Sequence, residues 1–410
     1  MLKYASRATT LSPFLAMAYG EKATALSNLG HDVIRLNLGE PDFGAPTPVV
    51  EAMKQSLSQA DYPYTSALGL PELRSAIAQF YKSQHNVDIP ASRIVVTAGA
   101  SAALLLVSAA LVENGDKVIL GDPSYPCNRR FLNTFGGEVT LVPTSSEQQF
   151  QLTHDDVTHN WDSKTKGVLI ASPANPTGTA IAQEELYSIG ETCKQNDGFL
   201  IVDEIYLNLD LGIEDTSSST NSVTNSVKQA PLNTVLANET LHSNTIVINS
   251  FSKYFGMTGW RLGWCVVPEG MTHIMERLAQ NLFICPSTLA QQAALACFTP
   301  ESLAQCEQKK AQLRARATFV LQAIADMGLS IDATPDGAFY AYINIERTGL
   351  TAVEFCDRLL AEEYVALTPG DDFGDHNATR YVRLSFATEI SRLKEGLTRM
   401  KRFVETCTCE

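Results

Sequence analysis

Between about residues 93 and 267 the chain drops repeatedly into short apolar runs, rich in β-branched residues and without polar alternation. They are R-I-V-V-T (93–97), K-V-I-L (117–120), G-V-L-I-A (167–171), F-L-I-V-D (199–203), T-I-V-I-N (245–249) and G-W-C-V-V (263–267). A strand wetted on one face alternates apolar and polar residues, whereas a strand covered on both faces does not. Separated by longer stretches of helical periodicity, these runs predict a mainly parallel sheet sandwiched by helices, an α/β fold.

Beyond roughly residue 270 the pattern changes to long helical stretches. Two alternating runs follow, A-F-Y-A-Y-I-N (338–344) and Y-V-R-L-S-F (381–386), which read as strands with one exposed face. This predicts a smaller α+β domain made from segments 1–40 and 291–410, set beside a large domain over 41–290. Residues 214–244 interrupt the large domain with E-D-T-S-S-S-T-N-S-V-T-N-S-V, a low-complexity run with little apolar surface to bury. The expectation there is a mobile surface insertion open to limited proteolysis.

A length of 410 residues suits one large unit and one smaller one, and 45% hydrophobic residues is ordinary for a globular protein. A net charge of −14 with no basic stripe opposes binding to nucleic acid. The longest apolar run, 102–112, is too short to cross a bilayer, and the N-terminus has no signal-like apolar stretch. Nine cysteines, odd in number and without metal-site spacing, fit free thiols in a cytoplasmic protein, with no metal site. Cys407 and Cys409 read as part of a frayed tail.

Chemistry collects at the predicted C-terminal ends of the parallel strands, where open α/β sheets bind ligands. T-A-G-A-S-A-A (97–103) offers Gly99, Ala100 and Ser101 at the start of a helix, whose free N–H groups suit a phosphate. Ser250, Ser252 and Arg261 in S-F-S-K-Y-F-G-M-T-G-W-R can add donors to the same anion. Neither G-x-x-x-x-G-K-[ST] nor G-x-G-x-x-G occurs, which argues against a nucleoside triphosphate or a dinucleotide. Lys253, beside this anion site, can form a Schiff base with an aldehyde, and pyridoxal 5'-phosphate carries both groups. Asp203 can hold a pyridine nitrogen protonated, Asn175 and Tyr206 can hydrogen-bond the ring hydroxyl, and Tyr125 can stack on the ring.

With these parts assembled, the chain resembles the fold-type I, class I pyridoxal phosphate-dependent aminotransferases, the aspartate aminotransferase superfamily. The resemblance runs from L-N-L-G-E-P-D-F (36–43) and Y-P-Y-T-S-A-L-G-L-P-E-L-R (62–74) through S-P-A-N-P-T-G (172–178) and S-F-S-K-Y-F-G-M-T-G-W-R-L-G-W to Y-V-R-L-S-F. It implies that Lys253 is the Schiff-base lysine and that Arg383 binds the substrate α-carboxylate, with Gly39 and Asn175 beside it. It also implies a homodimer in which Tyr64 reaches the neighbouring active site, and a cis Asn175–Pro176 peptide. The implied reaction is ping-pong transfer of an amino group from an L-amino acid to a 2-oxo acid through a pyridoxamine form of the cofactor. Some acid-specific members carry a lysine shortly after the phosphate-loop glycine to bind a distal carboxylate. Here Ser101 stands at that position, which favours a small or neutral amino acid as donor, with Arg129, Arg130 or an N-terminal arginine as the alternatives that could still bind an acidic one.

Each residue also has a plainer reading. Asp203 can be a turn carboxylate, Tyr125 and Tyr206 core aromatics, Tyr64 a turn tyrosine, Arg383 half of a salt bridge, and Gly39 a turn glycine. Ser101, Ser250 and Ser252 can be caps or turn residues. The same scaffold also hosts lyases that eliminate a leaving group at Cβ, and the sequence alone separates these from aminotransferases poorly. A nicotinamide dehydrogenase would need the missing glycine fingerprint, and a DNA-binding regulator would need an added segment.

Overall fold

The computed structural model describes residues 2–9, 11–59, 61–213 and 232–407. Its strands, in chain order, are β1 (Ile34–Arg35), β2 (Ile94–Thr97), β3 (Lys117–Asp122), β4 (Glu138–Pro143), β5 (Thr165–Ala171), β6 (Phe199–Asp203), β7 (Thr245–Ser250), β8 (Gly263–Val266), β9 (Tyr340–Asn344), β10 (Val365–Ala366), β11 (Thr368–Pro369) and β12 (Tyr381–Ser385).

Seven of them form one sheet in the order β2-β8-β7-β6-β5-β3-β4. The pairs β3–β4, β3–β5, β5–β6 and β6–β7 are parallel, and only β8 runs against its neighbours β2 and β7. All six apolar runs are strands of this sheet. The seventh strand, β4, has no such run, because its residues are largely half-buried or exposed, whereas β2 at the other edge of the sheet is fully buried.

Burial explains the uninterrupted apolar runs. Leu200, Val202, Val168 and Ile170 project into one hydrophobic cluster, while Ile201, Leu169, Ile246 and Ile248 project into another on the opposite face. Successive strand residues point to opposite faces, so two cores require every position to be apolar. Each such side chain contributes about 1.5–3 kcal/mol of burial free energy.

The remaining strands form two small sheets. Strand β12 lies between β11 and β9 in an antiparallel sheet, and β1 pairs in parallel with β10 through Ile34↔Val365 and Arg35↔Ala366. The N-terminal segment is thereby joined to the C-terminal part of the chain.

Two expectations need correction. The alternating runs of β9 and β12 do not expose a face to water. Ala341, Ile343, Val382 and Leu384 are fully buried, and so are Tyr340, Tyr342, Arg383 and Ser385 on the other face. The alternation is genuine, but its polar face is turned inward, toward the site described below. The interruption at 214–244 is also shorter than its composition implies. Thr234, Val235, Leu236 and Leu241 are fully buried, and the carboxylate of Glu204 accepts from Thr234 Oγ1 (3.0 Å) and the Val235 N–H (2.8 Å). The apolar residues of V-L-A and L-H after position 234 carry that segment back into the core. The Ser/Thr/Asn-rich part, 214–231, lies outside the described residues, as does Cys409, whereas Cys407 ends the helix Ile390–Cys407.

Among the described residues no helix is long and apolar enough to cross a membrane, and no group of His, Cys, Asp and Glu side chains could hold a metal ion.

Candidate active site

The strand register sets the site. Ala171 is paired with Asp203, and Thr97 and Ser250 flank Gly263, so the ends of β2, β5, β6 and β7 meet along one edge of the sheet. Above that edge is a cavity of about 280 Å³ lined by Gly39, Ala100, Ser101, Tyr125, Asn175, Asp203, Tyr206, Ser250, Ser252, Lys253, Arg261 and Arg383. Gly99 packs behind this lining against Arg261. A larger hollow of about 950 Å³ at the opposite strand ends, lined by Arg93, Lys194, His242 and Met271 among others, collects none of the residues selected from sequence.

At one end of the cavity the helix Ala100–Leu111 begins after Gly99, whose φ of +83° is disfavoured for residues with a Cβ. A Cβ there would lie 2.6 Å from Arg261 Nη2, so glycine lets the guanidinium approach the helix start. Gly263 fills a similar need: a Cβ would sit 2.8 Å from the Ala100 nitrogen. Ser250 Oγ donates to Ser252 Oγ (2.9 Å) and Arg261 Nη1 donates to the Thr258 carbonyl (3.1 Å). Free N–H groups of a helix start, two hydroxyls and a guanidinium form a donor set suited to a phosphate dianion.

In the middle, Lys253 Nζ donates to the Gly39 carbonyl at 2.6 Å. Burial, with the Arg383 charge next, lowers its pKa to about 8, while Glu40 and Asp203 pull the other way. Asp203, 5% exposed, accepts the Ile205 N–H at 3.2 Å, and burial raises its carboxyl to about 6. A buried carboxylate with so little compensation suits a cationic partner, such as a protonated pyridine. Tyr206 is buried with its hydroxyl 2.7 Å from that of Tyr340. Tyr125 also lines the cavity, with Phe14 edge-on to its ring at 6.0 Å.

At the other end Arg383, 1% exposed, donates from Nη1 to Asn175 Oδ1 (2.7 Å) and from Nη2 to the Asn37 carbonyl (2.6 Å). Its Nε has no hydrogen-bond partner among the described residues. It lies over the rings of Tyr340 and Phe373, 4.6 and 4.8 Å from their centroids. A buried guanidinium with an unmet donor is built to receive an anion, and a carboxylate matches its fork. The Asn175–Pro176 peptide is cis, as the resemblance implied.

Of the residues selected from sequence, Tyr64 alone stands apart, 78% exposed and outside the cavity lining. Conversely, Phe14, Met17, Leu38, Thr258 and Tyr340 line the cavity without having been selected. Leu38 and Tyr340 lie inside motifs already marked, L-N-L-G-E-P-D-F and A-F-Y-A-Y-I-N. Phe14 and Met17 carry no motif, and nothing in the local pattern distinguishes them from helix-face residues.

The profile of aminotransferase class I and II matches residues 31–400. The chain is 37% identical over 388 residues to the valine–pyruvate aminotransferase of Mycobacterium tuberculosis, covering 95% of each chain. It is 33% identical over 409 residues to the aspartate aminotransferase of Bacillus subtilis, covering 98% of this chain and 99% of that one. Among solved structures, an aminotransferase from Mycobacterium tuberculosis superposes with a TM-score of 0.89 at 35% identity, covering 99% of this chain and 100% of that one. Aspartate aminotransferase from Thermus thermophilus with maleate gives 0.89 at 29% identity, covering 98% and 100%. These relatives are named as aminotransferases, which disfavours the lyase alternative. The chain belongs to the class I and II aminotransferases and is a pyridoxal phosphate-dependent enzyme that moves an amino group between an amino acid and a 2-oxo acid.

Proposed function

We propose the following division of labour among the cavity residues. Lys253 would hold the cofactor aldehyde through its Nζ, and its neutral amine, once free, would take up the proton given up by the substrate's Cα. Asp203 keeps a negative charge at the pyridine end, and Tyr206 and Asn175 hydrogen-bond the ring hydroxyl. With its Oδ1 taken by Arg383, Asn175 offers its Nδ2 for that bond. Tyr125 covers a ring face. The Ala100 and Ser101 N–H groups with Ser250, Ser252 and Arg261 bind the phosphate, with Gly99 allowing the close approach. Arg383 takes the α-carboxylate, with Gly39 and Asn175 beside it.

When bound, pyridoxal phosphate supplies an aldehyde that takes up amines and a protonated ring that withdraws electrons from the substrate's Cα. The residues do the rest. Arg383 and the phosphate site fix two anions at opposite ends, which orients the reacting carbon. Lys253, with its pKa lowered to about 8, is poised to give and take a proton near neutral pH.

The observation that carries this reading is that the half-buried Lys253 shares one cavity with a buried carboxylate, Asp203, and a buried arginine, Arg383, that has an unmet donor. The test is a half-reaction: mix the cofactor-loaded enzyme with one amino acid and no acceptor. One 2-oxo acid per site, after which release stops, is the expected result. Continuing release of ammonia would make the enzyme a lyase.

The reading extends to a cytoplasmic homodimer with Tyr64 serving the neighbouring site, and to a smaller domain formed by 1–40 and 291–410. Exposed Leu282, Phe283 and Ile284 supply apolar surface for such a contact, and Ile284 is held at a φ of +67° that is unfavourable for a β-branched residue. Thr288 and Gln291, which follow them, hydrogen-bond Pro63 and Thr65 on either side of Tyr64. The free cysteines of the described residues fit a reducing compartment.

A further inference from the structure

The helix Leu15–Asn28 has no side-chain cap of its own at Phe14. Its first N–H groups are met instead from the far end of the chain: Asp372 Oδ1 accepts from Leu15 (2.9 Å) and Oδ2 from Ala16 (3.0 Å). Asp372 is 4% exposed, so this is an interior clamp. The Ala16 carbonyl is held as well, accepting from Asn37 Nδ2 at 2.8 Å. Ala16 is therefore fixed at both of its backbone groups, and the residues beside it, Phe14 and Met17, face the cavity.

Both clamps lead back to Arg383. Asn37 gives its own carbonyl to Arg383 Nη2, and Asp372 ends the short turn Gly370–Asp372 that follows strand β11, whose Thr368 is paired with Arg383. The helix start is thus held in register with the group assigned to the α-carboxylate. A wall in register with that group faces the side chain of whatever amino acid is bound.

The wall is apolar, made by Phe14 and Met17 with Leu38. The cationic side chains on the described lining are Lys253, Arg261 and Arg383, and each is already engaged, with Gly39, with Thr258 and the phosphate site, and with Asn175 and Asn37. Arg129 does not line the cavity, and its Nη2 donates to the Asp372 carbonyl. Arg130 does not line it either. A second carboxylate on the substrate would lie against Phe14 and the partly exposed Met17 and Leu38, with no unengaged cation among the described lining residues to pair with it, whereas an apolar side chain would cover their exposed surface.

We propose that Phe14, Met17 and Leu38 receive the side chain of the amino donor and select uncharged, apolar side chains over acidic ones, with Asp372 and Asn37 as the positioning residues of that wall. The proposal rests on Arg383 as the α-carboxylate site.

Two measurements on the cofactor-loaded enzyme test it. The first is calorimetric binding of 4-methylpentanoate and of maleate, carboxylates that lack the reacting amine. Tighter binding of 4-methylpentanoate is expected. Tighter binding of maleate would overturn the apolar wall while leaving the Arg383 reading intact, and binding of neither would overturn the Arg383 reading and the proposal with it. The second compares Michaelis constants for leucine and alanine in the Asp372→Asn variant, with the bound-cofactor spectrum confirming an intact site. The leucine constant is expected to rise about tenfold more than the alanine constant, because alanine reaches little of the wall. Equal rises would reduce Asp372 to a structural role. In Met17→Lys, a gain in aspartate turnover relative to leucine is expected, and an unchanged ratio would remove Met17 from the wall.

Discussion

The Nζ of Lys253 donates to the carbonyl of Gly39, 2.6 Å away and 214 residues earlier in the chain. This bond joins the end of the main sheet to the N-terminal segment across the cavity. A carbonyl favours the charged amine, yet burial and Arg383 outweigh it, and the pKa falls from 10.5 to about 8. Only the neutral amine attacks an aldehyde. Uptake of pyridoxal phosphate by cofactor-free protein should therefore accelerate with pH to a midpoint near 8 and then level off. Stopped-flow absorbance between about pH 6 and pH 10 measures this, and a rate still climbing at the top of that range would show an ordinary solvated lysine.

Asp203 carries an opposite penalty. Its folded pKa is about 6 against 3.8 in water, so the folded state binds the proton more tightly than the unfolded one. The cost of ionising it is absent below pH 3.8, grows between there and about 6, and is constant above, reaching about 3 kcal/mol at pH 7. Cofactor-free Asp203→Asn should then melt at a higher temperature than the wild type at neutral pH, with the gap closing toward pH 4. The loaded variant should turn over about 10²–10³-fold more slowly. A variant that is less stable at neutral pH, or as fast, would contradict the assignment.

Gly263 bears on the phosphate through backbone alone. A Cβ at that position meets the Ala100 nitrogen at 2.8 Å and the Asn249 carbonyl at 2.9 Å, neither of which is the end of a flexible side chain. Gly263→Ala should displace the helix start and weaken pyridoxal phosphate binding by about tenfold or more, while affinity for pyridoxal, which lacks the phosphate, changes little. Equal losses for the two ligands would point to general damage.

The role proposed for Tyr64 depends on a second subunit. Sedimentation should show a dimer, and Tyr64→Phe should lower cofactor affinity about tenfold without changing that state, the loss of one hydrogen bond to a charged group. A fully active monomer would end both expectations, and an unaltered affinity would leave Tyr64 as a surface tyrosine.

The main sheet was legible because its strands are buried on both faces, which leaves an unbroken apolar signature in R-I-V-V-T or F-L-I-V-D. Strand β4 was not, because it is covered incompletely and so is under no such constraint, whereas β2 at the other edge is fully buried and keeps the signature. The residues proposed for the cofactor side were equally visible, and the structure brings them to one cavity. A phosphate, a ring nitrogen and an aldehyde make fixed demands on residue type, and Gly99, Asp203, Ser250, Ser252, Lys253 and Arg261 meet them within short stretches at strand ends.

The substrate side depended on tertiary structure. The alternation in Y-V-R-L-S-F was visible, but whether its polar face met water or a cavity depended on what packed over it, and the cavity lay there. Met17 belongs to a helix that looks ordinary in sequence, and Phe14 is the residue that precedes it. They reach the site because Asp372, more than 350 residues later, caps the start of that helix and Asn37 holds the carbonyl of Ala16. Local pattern reports which element a residue belongs to and which positions share a face, since both follow from its neighbours in the chain. Which distant segments share a cavity is fixed only when the sheets and helices pack, and that packing is what brought an apolar wall opposite Arg383.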